Sequence, residues 1–291
     1  MDFNSKSFVM LSHNIKNIKT NELEGNWYCS HKHDGVRAIW NGSKLLTRSK
    51  REFNYVPEWF KRLLPKDKPL EGELLVPSKP FNYFSGITVN KKDDDRWNEI
   101  VFLIFDIPLG GIIFNDRIKL IEQCVNNIKS VHIRMVNFEL IKDITNNMNI
   151  IHDKFNKIVS KGGEGIMLIK DDNLYQAKRV KTILKYKKEI EDEAVVIGYL
   201  EGTGKYKGFL GKLKCKFLDS DKTFNVGGGF LDIQRNSYIF IDNKVIKIIS
   251  NNEIDIPIIG DIITYKCMEL TCTGLPRMPI FRCIRRDINI H

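Results

Sequence analysis

The sequence predicts an α+β protein, with a mixed domain over residues 1–188 followed by a small all-β domain over residues 189–291. Three observations predict it. The length of 291 residues suits one large domain or two ordinary ones. Strand-like and helix-like segments mix up to residue 188, after which short β segments with glycine turns take over. Charge breaks at the same place. Residues 1–188 hold 32 Lys+Arg against 22 Asp+Glu, while residues 189–291 hold 14 of each, so the whole excess of +10 lies in the first domain.

The elements follow in order. Trp27 to Thr47 reads as strand, turn and strand, with Asn41-Gly42 as a hairpin turn signal. Pro57 to Leu64 reads as a short helix with proline in its first turn. LEGELLV and EIVFLIFDIP are strands. In NDRIKLIEQCVNNIK, apolar residues at 118, 120, 121, 125 and 128 with Asn115 as N-cap describe an amphipathic helix. Residues 149–160 make another helix, and GEGIMLIK and TILKYKK are strands. Beyond residue 188, β segments occupy KKEIEDEAVVIGYL, LGKLKCKFL, DKTFNVGGGF, GDIITYKCMEL and PIFRCIRR, with a brief helix between Leu231 and Ser237. Segment 236–257 reads as a hairpin or loop insertion.

Composition narrows the function. Hydrophobic residues are 42% and charged residues 28%, enough to bury a core and too apolar for disorder. No apolar run approaches the roughly 20 residues that cross a bilayer, and FVML is too short for the apolar core of a signal peptide. An intracellular setting, cytoplasm or nucleus and including a virus-encoded protein, is therefore expected. Cys29, Cys124, Cys215, Cys267, Cys272 and Cys283 form no CxxC pair, so no zinc site is expected, and scattered thiols fit a reducing compartment. The basic first domain calls for a polyanion: nucleic acid, nucleotide or anionic membrane. A basic surface kept for solubility is the plain alternative.

Chemistry concentrates in six short stretches. Lys32-His33-Asp34-Gly35-Val36-Arg37 lies between two strands with glycine at the bend. A lysine there can act as a nucleophile if neighbouring cations, metal or burial help it lose a proton, and a charged surface hairpin is the alternative. Arg48 follows in LLTRS. Glu71-Gly72-Glu73 opens a strand, Phe105-Asp106 ends one, and Glu164 sits in GGEGIML. Lys185 and Lys187 alternate in ILKYKK and so share a face. Carboxylates at apolar strand positions need partners, which a divalent metal or the lysines would supply. Together these residues make a polyphosphate and metal site.

In this order the stretches resemble the covalent-lysine nucleotidyltransferases, which include ATP-dependent DNA ligases, RNA ligases and mRNA capping enzymes. The resemblance covers nearly the whole chain. It is strongest to the minimal ATP-dependent DNA ligases, both chloroviral and small bacterial two-domain types. EAVVIGYLEGTGKYKG, LGKLKCKF, NVGGGFLDIQR and GLPRMPIFRCIR resemble stretches of their second domain. The implied fold is a nucleotidyltransferase domain of ATP-grasp-like antiparallel sheets with helices, then an OB-fold. The implied activity is sealing of 3′-OH/5′-phosphate nicks in duplex DNA through lysyl-AMP and DNA-adenylate, with ATP and Mg²⁺ or Mn²⁺. RNA ligase, capping-type transferase and an inert nucleic-acid-binding protein are the competing readings. A monomer that binds ATP and nicked duplex DNA, with no membrane partner, is expected.

The resemblance also implies roles. Lys32 would be the nucleophile, assisted by Asp34. Lys185 and Lys187 would neutralise the α-phosphate. Glu73 would orient ribose or metal, and Glu164 would hold metal. Phe105 would stack on adenine. Arg37 and Arg48 would contact ribose or nick phosphates, with Arg179 as a further phosphate contact. Arg285, with Arg286 and Asp287, would orient pyrophosphate before the OB domain turns over to clamp DNA, Arg286 and Arg277 would contribute to DNA binding, and Arg282 is a weaker candidate in the same stretch. Two departures stand out: Lys50 occupies a position where glycine is common, and the loop after Leu200 is too short for a long clasping hairpin. Gly202-Thr203-Gly204-Lys205 imitates a P-loop, but Tyr199 and Tyr206 hold required positions, so a turn is expected. Gly227–Gly229 reads as a bulge or turn. His31 and His33 are expected to be structural, and the charged run at 91–95 a solvated loop.

Overall fold

The computed structural model describes residues 8–77, 79, 83, 95–249, 254–268, 270, 271 and 273–286. Asp287, Cys272 and residues 91–94 of the charged run lie outside the described residues. The chain divides into two compact units, Met1–Lys187 and Lys188–His291.

The first unit begins with β1 (Leu11–Asn14), β2 (Trp27–His31), β3 (Val36–Trp40), β4 (Leu45–Thr47), α1 (Glu58–Arg62), β5 (Leu70–Leu75) and β6 (Val101–Asp106). It continues with α2 (Phe114–Ile128), β7 (Ile133–Met135), β8 (Glu139–Ile141), α3 (Met148–Ser160), β9 (Gly165–Lys170) and β10 (Arg179–Lys187). These strands form two five-stranded sheets, ordered β1-β10-β9-β2-β8 and β4-β3-β5-β6-β7. The β1–β10 and β6–β7 pairs are parallel and the others antiparallel.

The split between β2 and β3 differs from a simple strand-turn-strand reading. β2 belongs to the first sheet and β3 to the second, so residues 32–35 cross from one sheet to the other. Gly35 makes the crossing possible. A Cβ there would lie 2.4 Å from the Leu74 carbonyl oxygen and 2.9 Å from Glu73 Cγ, distances that no side chain tolerates. The hairpin expected at Asn41-Gly42 joins β3 and β4. Asn41 Oδ1 accepts from the Ser43 and Lys44 amides at 3.0 and 2.8 Å, and Gly42 takes φ +100°.

The core of each sheet is built by its own helices. Trp27, Ile166, Leu168 and Leu184 of the first sheet pack with Ile151 of α3, and Phe155 of α3 stacks on Tyr186 with centroids 3.9 Å apart. Trp40, Leu70, Phe102 and Ile104 of the second sheet pack with Phe60 of α1 and Ile121 of α2. The buried side of α2 is Phe114, Arg117, Ile121 and Cys124, while the predicted 118, 120, 125 and 128 are only half-buried. Asn115 is not its N-cap. It lies in the first turn, where its Oδ1 accepts from the Tyr28 hydroxyl at 2.6 Å.

The second unit contains β11 (Ile190–Glu201), β12 (Leu210–Phe217), β13 (Thr223–Val226), α4 (Asp232–Asn236), β14 (Tyr238–Ile241), β15 (Lys244–Ile248), β16 (Ile262–Cys267) and β17 (Ile280–Ile284). Its main sheet runs β13-β12-β11-β16-β17. A bridge between Gly228 and Ile280, with the Phe281 amide donating to the Gly228 carbonyl at 2.9 Å, joins its two edges into a barrel. The triple glycine is what lets the edges meet. At Gly229, with φ +88°, a Cβ would lie 2.2 Å from the Phe281 carbonyl oxygen. The β14–β15 hairpin is a separate two-stranded sheet inside segment 236–257. Residues 202–209 form a short connection whose turn at Gly204–Tyr206 is 3₁₀, without a phosphate loop's strand-to-helix setting.

Candidate active site

Lys32 is the first residue beyond β2, at the start of the crossing between sheets. Its amide donates to the Gly165 carbonyl at 2.8 Å. Its Nζ donates to Glu164 Oε2 at 2.5 Å. Neither group is sealed off, since 24% of the Lys32 side chain and 13% of the Glu164 side chain remain exposed. Glu164 is held there by the entry into β9. Gly165 takes φ +143°, and a Cβ would lie 2.1 Å from the Tyr186 carbonyl oxygen, so β9 can lie this close to β10 only with glycine at that place.

β10 brings the paired lysines to the same place. Lys185 lies opposite Met167 and Lys187 opposite Gly165. Burial lowers the pKa of Lys185, and the charges of Lys187, Arg179 and Lys32 lower it further, with Glu164 opposing them. Lys32, Lys185 and Lys187 thus act with Glu164 on one another electrostatically, a field suited to a polyphosphate. Arg179 lies exposed at the start of β10, where its Nη1 donates to the Ser12 carbonyl.

β3 and β5 supply the opposite wall. Glu73 pairs in register with Arg37. Burial pushes the Glu73 carboxyl up to about 7, while Lys32, Arg37 and a hydrogen bond from the Gly35 amide pull it down. Arg37 is gripped by Glu71, its Nε and Nη2 each 2.8 Å from Oε1. Its guanidinium lies 5.3 Å from the centroid of the Phe105 ring. Phe105 reaches this place because β6 bulges. Glu71 pairs with Asp106 and Gly72 with Ile104, leaving Phe105 as the extra residue.

Lys32, Arg37, Glu73, Phe105, Glu164, Lys185 and Lys187 therefore come together within the first unit, with Asp34 half-buried in the crossing beside them. Arg48 does not join them through any described contact. It is exposed in the turn after β4. On the second unit, Arg285 pairs with Glu193 and Arg286 with Asp255, the latter at 2.8 Å. Arg277 is half-buried and Arg282 exposed.

Arg117 and Tyr175 join the site without any motif in the sequence pointing to them. Arg117 is fully buried. It donates to Asp106 Oδ1 and Oδ2 at 2.6 and 3.0 Å, and to the Ile112 and Asn173 carbonyls at 2.6 and 2.8 Å. The Tyr175 hydroxyl donates to Glu71 Oε2 at 2.8 Å. His31 and His33 bracket Lys32 with ring centroids 4.3 Å apart. Burial lowers both, His33 to about 4, so both are neutral at pH 7. The sequence carried one signal, a charge at position 117 on the side of a helix shared with 114, 121 and 124.

Among the described residues no group of three or more His, Cys, Asp or Glu gathers as a metal cage. Glu73 and Glu164 are two hard oxygen donors beside a cationic field. That set fits a magnesium-like ion completed by phosphate oxygens and water. It does not fit a closed structural metal.

Residues 9–187 match the family described as ATP dependent DNA ligase domain, and residues 201–285 match DNA ligase OB-like domain. The chain is 29% identical to a DNA ligase of Haemophilus influenzae over 278 residues, covering 95% of this chain and 92% of that protein. It is similar to a solved structure described as a Lig E DNA ligase binding DNA with a minimal scaffold. The TM-score is 0.79 and the identity 26%, over 95% of this chain and 98% of that one. A Chlorella virus DNA ligase-adenylate, at 20% identity and TM-score 0.51 over 97% and 99% of the two chains, shares the fold.

Proposed function

The chain belongs to the ATP-dependent DNA ligase family, and from that premise we propose that Lys32 is the residue through which AMP passes from ATP to the 5′-phosphate of a nick in duplex DNA. The observation that carries this reading is the 2.5 Å contact of Lys32 Nζ with Glu164, set among Lys185, Lys187 and Glu73.

Three transfers follow. The Lys32 amine, having given up a proton, bonds to the α-phosphorus of ATP as the α–β phosphoanhydride breaks and pyrophosphate leaves. An oxygen of the 5′-phosphate then attacks the same phosphorus, and Lys32 departs as the amine. The 3′-hydroxyl finally attacks the 5′-phosphorus, AMP leaves and the strand is continuous. Each step redistributes charge on phosphate oxygens, so fixed cations and positioning dominate the catalysis.

The residues divide this work. Lys185 and Lys187 stabilise charge on the α-phosphate. Phe105 offers a ring for adenine stacking, and the ribose falls to Glu73. Glu73 and Glu164 would hold Mg²⁺, which supplies charge neutralisation on phosphate when bound. Arg37, Arg48 and Arg179 are assigned to nick phosphates, and Asp34 to the sealing step. On the second unit, Arg285 is assigned to the leaving pyrophosphate, and Arg286 and Arg277 to DNA. The protein acts as a monomer in this reading.

The test is incubation with α-labelled ATP or GTP and Mg²⁺, then addition of nicked duplex DNA. Label from ATP that stays on denatured protein and is discharged by the nick, with sealing, is expected. Label from GTP, or discharge only by nicked RNA, overturns the DNA assignment.

A further inference from the structure

We propose that Tyr175 and Glu71 are positioning residues that set the guanidinium of Arg37 for sealing, an inference that rests on the assignment of Arg37 to the nick. Glu71 is 1% exposed and has both carboxylate oxygens occupied. Oε1 takes the Nε and Nη2 of Arg37, each at 2.8 Å, and Oε2 takes the Tyr175 hydroxyl at 2.8 Å. A buried carboxylate held at one oxygen could turn. Held at both, it fixes the guanidinium in one plane.

The hydroxyl that does this is itself anchored. Arg117 grips the Asn173 carbonyl, two residues before Tyr175, and also grips Asp106. Asp106 follows Phe105, whose ring lies under the Arg37 guanidinium. The loop carrying Tyr175, the end of β6 and the arginine of β3 are therefore one network. A guanidinium has five N–H donors. Those turned away from Glu71 remain for a phosphate or sugar oxygen, and 23% of the Arg37 side chain is exposed to receive one.

The network makes a step-specific expectation. Loss of the Tyr175 hydroxyl leaves Lys32, Glu164 and the β10 lysines untouched but lets Glu71 and Arg37 reorient. The test is single-turnover kinetics of Y175F, R37A and the double variant, measured separately for lysyl-AMP formation and for sealing of a pre-adenylylated nick. In Y175F, sealing should fall about tenfold, the scale of one hydrogen bond to a charged group, and lysyl-AMP formation by less than about threefold. In the R37A background, Tyr175→Phe should cost nothing further, because the group it positions is gone. A merely structural role for Tyr175 would instead slow both steps alike and add in full to R37A, which overturns the inference. A slow R37A beside a Y175F that seals at the wild-type rate overturns the inference alone. R37A sealing at the wild-type rate overturns the assignment of Arg37, and the inference with it.

Discussion

Lys32 Nζ and Glu164 Oε2 lie 2.5 Å apart, joining the crossing between the two sheets to the entry of β9. The contact orients the amine that the proposed mechanism requires, and it places a carboxylate where a proton or a cation can be received. Replacing Glu164 by Gln keeps the shape and removes the charge. E164Q should form lysyl-AMP about 10²-fold more slowly, the lower end of the range for a positioned acid–base group. Rapid-quench kinetics with labelled ATP checks it, and a rate within about threefold of wild type would speak against the pairing having a catalytic part.

Glu73 gives a pH signature. Its carboxyl is raised from 4.5 to about 7, mainly by burial. The group is protonated in both folded and unfolded states below pH 4.5, and ionised in both above about pH 7. Between those limits the unfolded chain ionises first, so the free protein loses stability as pH rises. E73Q lacks this loss. The melting-temperature difference, E73Q minus wild type, should therefore grow from pH 4.5 to about 7 and then level off. A difference independent of pH would contradict the burial of this carboxyl. Saturating ATP and Mg²⁺ should shrink the difference, by binding to the ionised wild-type site.

Arg117 is a structural keystone of the site. R117A would strand the buried Asp106 carboxylate and release two carbonyls. Breaking a buried pair in this way costs about 3–5 kcal/mol. Urea denaturation should register a loss of that size, and a loss below about 1 kcal/mol would contradict the described network.

Lys50 holds a strained backbone position. It takes φ +66°, in the left-handed region, in the turn after β4. That conformation costs an L-residue about 1–2 kcal/mol, partly offset by the extra freedom glycine has when unfolded. K50G should therefore be stabilising by about 0.5 kcal/mol, and K50V, with its branched Cβ, destabilising. Paired thermal melts compare them.

The sequence made the site's ordered residues legible because each sits in a short run whose neighbours are fixed by backbone geometry. Gly35, Gly72 and Gly165 are required where a Cβ would strike a backbone oxygen, so the motifs around Lys32, Glu73 and Glu164 appear as unbroken strings. The turn residue at 50 was legible as a departure, though not its φ. What stayed hidden depends on distance in the chain. Tyr175 reaches Glu71 over 104 positions, and Arg117 reaches Asn173 over 56, with no local pattern at either end. The strands Leu11–Asn14, Ile133–Met135 and Glu139–Ile141 are three or four residues long, too short for periodicity to register. In the sequence the crossing after His31 looks like a bend within one hairpin, because alternation alone cannot distinguish one sheet from two.

The central claim, that Lys32 carries the nucleotide, is tested most directly by mapping the adduct. The protein is incubated with ATP and Mg²⁺, digested, and its peptides are sequenced by mass spectrometry at a pH that preserves the phosphoramidate. The account predicts AMP on Lys32 and none on K32A, with K32A retaining the wild-type melting transition. AMP on Lys185, Lys187 or any other residue, or undiminished labelling of K32A, would contradict it.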